Sequence, residues 1–188
     1  GTVAFQWLVT TFSMRSEMPS SARELTYVND PMTRFKSESF IDPQKAGDTA
    51  ANFLTANPNL NALWVAWSDP AMLAISSLRA NGKNLPVSGE FLTLESGIEM
   101  AKGGMFKGQA TQAPYDMGRW LGLAAVEAML GKKLPKWISY PARGVTVRNV
   151  LQMWKEIWRT RPPAALVAAC KSNSACRSAP ANKAFLNA

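Results

Sequence analysis

The residues able to do chemistry sit at a few short loops. Trp67-Ser68-Asp69-Pro70 closes the apolar run ALWVAW at 62–67. A tryptophan offers a flat apolar face and a carboxylate accepts hydrogen bonds from hydroxyls, a pairing suited to hydroxyl-rich ligands. The plainer assignment makes Asp69 the cap of the helix that follows and Trp67 a core residue; capping does not exclude ligand contact. TTFSMR at 10–15 supplies Phe12 and Arg15. The guanidinium of Arg15 presents fork-like donors to hydroxyls or carboxylates, although on spacing alone a plain surface arginine is slightly favoured. Gln112, in TQAP, carries an amide that both donates and accepts.

The sequence assembles no catalytic constellation. The sequence has no G-x-G-x-x-G, P-loop or G-x-S-x-G. Gly103-Gly104 ends a predicted helix rather than opening one, and Glu95 and Glu99 lie one helical turn apart without a base. The histidine count is 0, which removes an imidazole base, a histidine triad and imidazole-bound metal. Cys170 and Cys176 cannot complete a tetrahedral zinc site by themselves. Their six-residue offset permits a small disulfide loop in an oxidising compartment; two incidental thiols in a loose tail is the favoured alternative. We therefore expect a binding module, not an enzyme, with no metal and no cofactor.

The elements that must position these loops follow from periodicity. GTVAFQWLV at 1–9 reads as a buried strand. Asp42-Pro43 is a cap followed by a first-turn proline, with Ala46, Ala50, Phe53 and Leu54 on one face and Asn57-Pro58 as the stop. ALWVAW suits a strand covered on both faces. Asp69-Pro70 opens a helix with Ala71, Ile75 and Leu78 on one side, closed by Gly82. Strands at 85–89 and 106–111 flank a helix around 95–102. Pro114 opens a long helix to Leu130, strands follow at 136–141 and 144–147, and 149–158 is a last helix. Residues 16–39 show no sustained stripe and allow a short helix around 21–27. Alternating helices and strands predict an α/β fold, a parallel sheet flanked by helices on both faces, because parallel strands need crossovers. Ligands of such sheets bind off the carboxyl ends of the strands, here the loops at 10–15, 67–70, 89–95 and 111–115.

The 188 residues are long enough for a core, and no apolar run approaches the roughly 18 residues of a membrane span. Lys and Arg total 21 against 13 Asp and Glu, a formal +8. Arg159, Arg161, Lys171, Arg177 and Lys183 contribute +5 with no acid after Glu156, leaving +3 for residues 1–158. The charge reads as a basic mobile tail, and nucleic acid is not an expected partner. Gly1 is not preceded by a basic and apolar leader, so a mature or truncated chain is expected.

Residues 42–150 resemble the ribose-type (type I) periplasmic sugar-binding proteins of bacterial ABC transporters. The motifs are DPQKAGDTAANFLTANPNLNALWVAWSDPAMLAISSLRANGKNLPV, IEMAKGGMFKGQATQAPYDMGRWLGLAAVEAMLGKKLP and VTVRNV. The resemblance implies two α/β lobes closing over a monosaccharide or polyol, a membrane permease as partner, and a periplasmic location. It places Arg15 after the first strand of the second lobe, Ser68 and Asp69 where the family carries an Asn-Asp pair, and Gln112 at the hinge. These would grip sugar hydroxyls, with Trp67 or Phe12 against the ring. It further implies that this is the C-terminal half, with an incomplete second lobe and the N-terminal lobe missing. Residues 1–112 would form the C-terminal-lobe-like domain, 113–141 would cross to the missing lobe, 142–158 would return, and 159–188 would be the tail. The helix from Pro114 would then expose an apolar face, and the chain alone would bind sugar poorly.

Three stretches depart from the family. SGEFLTLES puts Phe91 or Leu92 where an aspartate is usual, residues 16–39 lack the expected apolar helix, and the tail after Trp158 has no family look. Frame disruption within a genuine family gene would account for all three. The runner-up is the effector-binding domain of a lactose-repressor-type regulator, which would need a helix-turn-helix; a small α/β enzyme ranks lower still.

Overall fold

The computed structural model of the chain describes residues 2–8, 34–40, 42–136 and 141–186. It divides into two compact units, residues 1–90 with 105–107 and residues 91–104 with 108–188.

In the first unit, β1 (Thr2–Leu8), β2 (Arg34–Phe40), β3 (Ala62–Val65) and β4 (Val87–Glu90) lie in the order β2-β1-β3-β4. Every neighbouring pair is parallel, with Val3 opposite Phe35 and Ala62, and Leu63 opposite Val87. The crossovers this requires include α1 (Ala46–Ala56) between β2 and β3 and α2 (Ser68–Ala80) between β3 and β4. Asp42 accepts a hydrogen bond from the Gln44 amide at 3.0 Å, and the 3-10 turn Pro43–Lys45 leads into α1. Ala46, Ala50, Phe53 and Leu54 are buried, as their spacing predicts. Burying side chains the size of Leu or Phe stabilises by about 1.5–3 kcal/mol each. A Cβ at Gly47 would stand 3.1 Å from the Leu73 carbonyl oxygen, so glycine sets how closely α1 and α2 approach. Leu63, Val65, Ile75, Leu78, Val87 and Phe106 complete the core.

β2 is a strand the sequence did not reveal. RFKSESF lacks the apolar alternation that marks a strand in sequence; it lies at the edge of the sheet, where its backbone pairs with β1. The helix expected around 21–27 lies outside the described residues.

The second unit holds α3 (Leu94–Ala101), most of β5 (Phe106–Thr111), α4 (Pro114–Met129), β6 (Arg143–Thr146) and α5 (Val150–Trp158). β5 and β6 pair antiparallel, Gly108 opposite Thr146. α3 opens on a capping box: the Ser96 amide donates to Thr93 Oγ1 at 3.3 Å and the Thr93 amide to Ser96 Oγ at 3.1 Å. It ends at Gly103, whose φ of +79° suits glycine. Of the strand expected at 136–141, residues 137–140 lie outside the described residues.

The tail corrects the sequence reading. Residues 159–186 are not a loose extension: they include α6 (Ala164–Ser172), α7 (Ser174–Arg177) and α8 (Pro180–Lys183). Cys170 and Cys176 are joined by a disulfide rather than left as thiols, with their Cα atoms 5.1 Å apart. Leu166 is fully buried, and α6 packs on α3 where Gly97 leaves room: a Cβ there would lie 3.3 Å from Leu166 Cδ1. Asn182 is also fully buried; its Oδ1 accepts from the Leu151 amide at 3.0 Å, and its Nδ2 donates to the carbonyls of Val147 and Cys176 at 2.9 and 3.0 Å.

Candidate functional site

In the first unit the parallel strands end together, and the turn from β3 into α2 carries three of the predicted residues. Trp67 is the N-cap of α2, with φ 41° and ψ 167°, a backbone conformation that favours glycine. Its half-buried indole meets Phe40 edge-on, ring centroids 6.2 Å apart, at the carboxyl end of β2. Ser68, the first residue of α2, is 0% exposed, and its Oγ has no hydrogen-bond partner among the described residues. Asp69 is exposed in the first helical turn. The sequence expectation that Asp69 caps this helix is corrected: the cap is Trp67, and no side chain caps it. One residue further on, Asp69 faces water, where its charge favours the positive end of the helix dipole and can accept hydrogen bonds. An apolar ring, a buried hydroxyl and an exposed carboxylate are thereby consecutive at a strand end.

Gln112 follows β5 in the second unit, half-buried, and its backbone carbonyl accepts from Thr111 Oγ1 at 3.2 Å. Phe12 and Arg15 lie outside the described residues. The loop after β4 is core at its centre. Leu92 is fully buried; its amide donates to Thr111 Oγ1 and its carbonyl accepts from Trp158 Nε1, each at 3.1 Å. Phe91, at φ +70°, meets Trp158 edge-on with centroids 5.9 Å apart.

Sequence reasoning missed Gln109. It is 6% exposed on β5, and neither end of its amide has a partner among the described residues. The signal was weak: a polar residue inside FKGQAT reads as solvent-facing until the strand is placed. Among the described residues no group of three or more His, Cys, Asp and Glu could hold a metal ion, and no helix is long and apolar enough to cross a membrane.

No protein-family model and no curated protein matches the sequence. Solved structures do match. A substrate-binding protein of a sugar ABC transport system from Bordetella parapertussis superposes with a TM-score of 0.70 at 12% identity, over 86% of this chain and 54% of that one. The 5-methylthioribose transporter solute-binding protein of Thermotoga lettingae, in complex with 5-methylthioribose, gives 0.68 at 17%, over 92% and 59%. An ABC transporter periplasmic solute-binding protein from Actinobacillus succinogenes with bound D-allose gives 0.66 at 22%, over 78% and 53%. The chain thus has the fold of the type I periplasmic binding proteins. It spans a little over half the length of these solved structures.

Proposed function

We propose that this chain is the C-terminal half of a substrate-binding protein of an ABC-type sugar importer, acting in the periplasm. The observation that carries the reading is the turn leaving β3, where Trp67 takes a glycine-like backbone beside the buried, unpartnered Ser68 hydroxyl and the exposed Asp69. Trp67 or Phe12 would stack on a monosaccharide or polyol; Ser68, Asp69, Arg15 and Gln112 would take its hydroxyls. Ligand contacts would favour the closed state of two lobes, which a permease then reads.

Residues 113–141 would cross to an N-terminal lobe. α4 supports this, because Asp116 alone is buried along it while Leu121, Met129 and Leu130 are 69%, 87% and 70% exposed. A lobe laid on that face would remove it from water. The disulfide supports an oxidising compartment.

The test is to read the encoding DNA upstream of the Gly1 codon and express the extended chain. A first α/β lobe, with tryptophan fluorescence that responds saturably to a monosaccharide and loses the response in Asp69→Ala, is the expected result. An upstream helix-turn-helix with retention on duplex DNA at physiological salt would replace this reading with the regulator. Tight sugar binding by the 188 residues alone would remove the need for a second lobe.

A further inference from the structure

The second unit carries the whole charge imbalance of the chain. Its residues hold 13 Lys and Arg against 5 Asp and Glu, a formal +8, while the first unit holds 8 of each. Part of this charge converges on a groove of about 570 Å³ that runs along one face of α6. Val167, Ala168 and Phe185 are among its apolar lining. Lys155, Arg161 and Lys171 also line it, and among the described residues no acidic one does. None of these three cations takes part in an ion pair among the described residues; Glu156, the nearest acid in sequence, is bound to Arg143 and Gln152.

Like charges held around one cavity repel, and a bound anion reverses the sign of that term. Apolar walls in a space of this size suit a small molecule of the roughly 300–1,000 Å³ class. We infer that the α6 groove binds a small amphiphilic anion, its carboxylate or phosphate head between Lys155, Arg161 and Lys171 and its short alkyl body against Val167, Ala168 and Phe185. The site uses the tail that the sugar-binding reading leaves without a role, and it stands or falls independently of that reading.

Calorimetric titration of the full chain with sodium octanoate, octyl phosphate and neutral octanamide tests it. The expected result is saturable one-to-one binding of at least one anion, with octanamide weaker by about tenfold or more. The Arg161→Gln/Lys171→Gln double variant should weaken that anion by a similar factor, whereas Lys183→Gln, outside the groove, should leave it unchanged. All three basic residues are exposed, so the substitutions spare the core. The preferred anion separates a carboxylate from a phosphate head, and affinity should fall as sodium chloride is raised. Octanamide binding as tightly as the anions, equal loss in Lys183→Gln, affinity indifferent to salt, or no saturable heat at millimolar anion would each overturn the assignment.

Discussion

Arg159 Nη2 donates to both carboxylate oxygens of Asp116, at 2.9 and 2.7 Å, across 43 positions of sequence. The bond ties the first turn of α4 to the C-cap of α5, where Arg159 itself takes a left-handed φ of 57°. Asp116 is nearly buried, its side chain 12% exposed, while that of Arg159 is 48% exposed. The two ends of this pair are therefore not equivalent. Removing the aspartate leaves a guanidinium that water can reach; removing the arginine leaves a carboxylate that water largely cannot.

Arg159→Ala should accordingly destabilise by about 2–3 kcal/mol and Asp116→Ala by about 1–2 kcal/mol. Arg159→Gly should fall below Arg159→Ala, since glycine accepts the left-handed cap without strain. Urea midpoints of the three variants check the order. Equal losses for Arg159→Ala and Asp116→Ala would contradict the burial argument.

Trp67 gives a second case in which backbone and side chain separate. Alanine there loses the contact with Phe40 and keeps the unfavourable φ of 41°; glycine loses the same contact and relieves it. Trp67→Gly should be more stable than Trp67→Ala by about 0.5–1 kcal/mol, the reverse of the usual order for these residues. Thermal unfolding of the pair decides it.

The fully buried Asn182 amide accepts from the Leu151 N–H of α5 and donates to the carbonyls of Val147, ahead of α5, and of Cys176 within the tail. Asn182→Ala strands the Leu151 amide and the Val147 carbonyl, while the Cys176 carbonyl keeps the Ala179 amide, so a loss of about 2–4 kcal/mol is expected. Hydrogen exchange should report it as faster opening at the start of α5 as well as in α8. An effect confined to α8 would mean that the tail is not part of the second unit's cooperative core.

Reduction tests the tail from the other side. The Cys170–Cys176 bridge closes a loop of six-residue separation, and loop-closure entropy for so short a loop gives about 2 kcal/mol. The double serine variant should unfold about 2 kcal/mol more easily, and reductant should lower the wild-type midpoint while leaving that variant unmoved. A midpoint insensitive to reductant would sink the prediction.

The face of α4 predicts behaviour in solution. Leu121, Met129 and Leu130 lie largely in water, so the isolated chain should self-associate with rising concentration. Leu121→Lys with Met129→Glu should raise the concentration at which association begins. Because neither residue is buried, the change in unfolding free energy should stay within about 0.5 kcal/mol. Light scattering coupled to gel filtration reads the first effect and denaturant unfolding the second.

What the sequence determined by itself is local. Asp42-Pro43 and the spacing of Ala46, Ala50, Phe53 and Leu54 define α1, and Pro114 with Gly131 bounds α4, because capping and a 3.6-residue stripe depend on near neighbours. The parallel sheet followed from the same alternation, and the placement of Trp67-Ser68-Asp69 at a strand end followed from the sheet. The tertiary structure decided what depends on partners far along the chain. β2 is a strand through its ladder to β1, not through an apolar pattern. Leu92 is core because Thr111 and Trp158 satisfy its backbone. The tail folds because Leu166 finds Gly97, Asn182 finds Leu151, and one disulfide closes over α6 and α7. Such long-range contacts leave little periodic trace in the residues that make them, since burial there rests on individual hydrogen bonds and single side chains rather than on a repeating face.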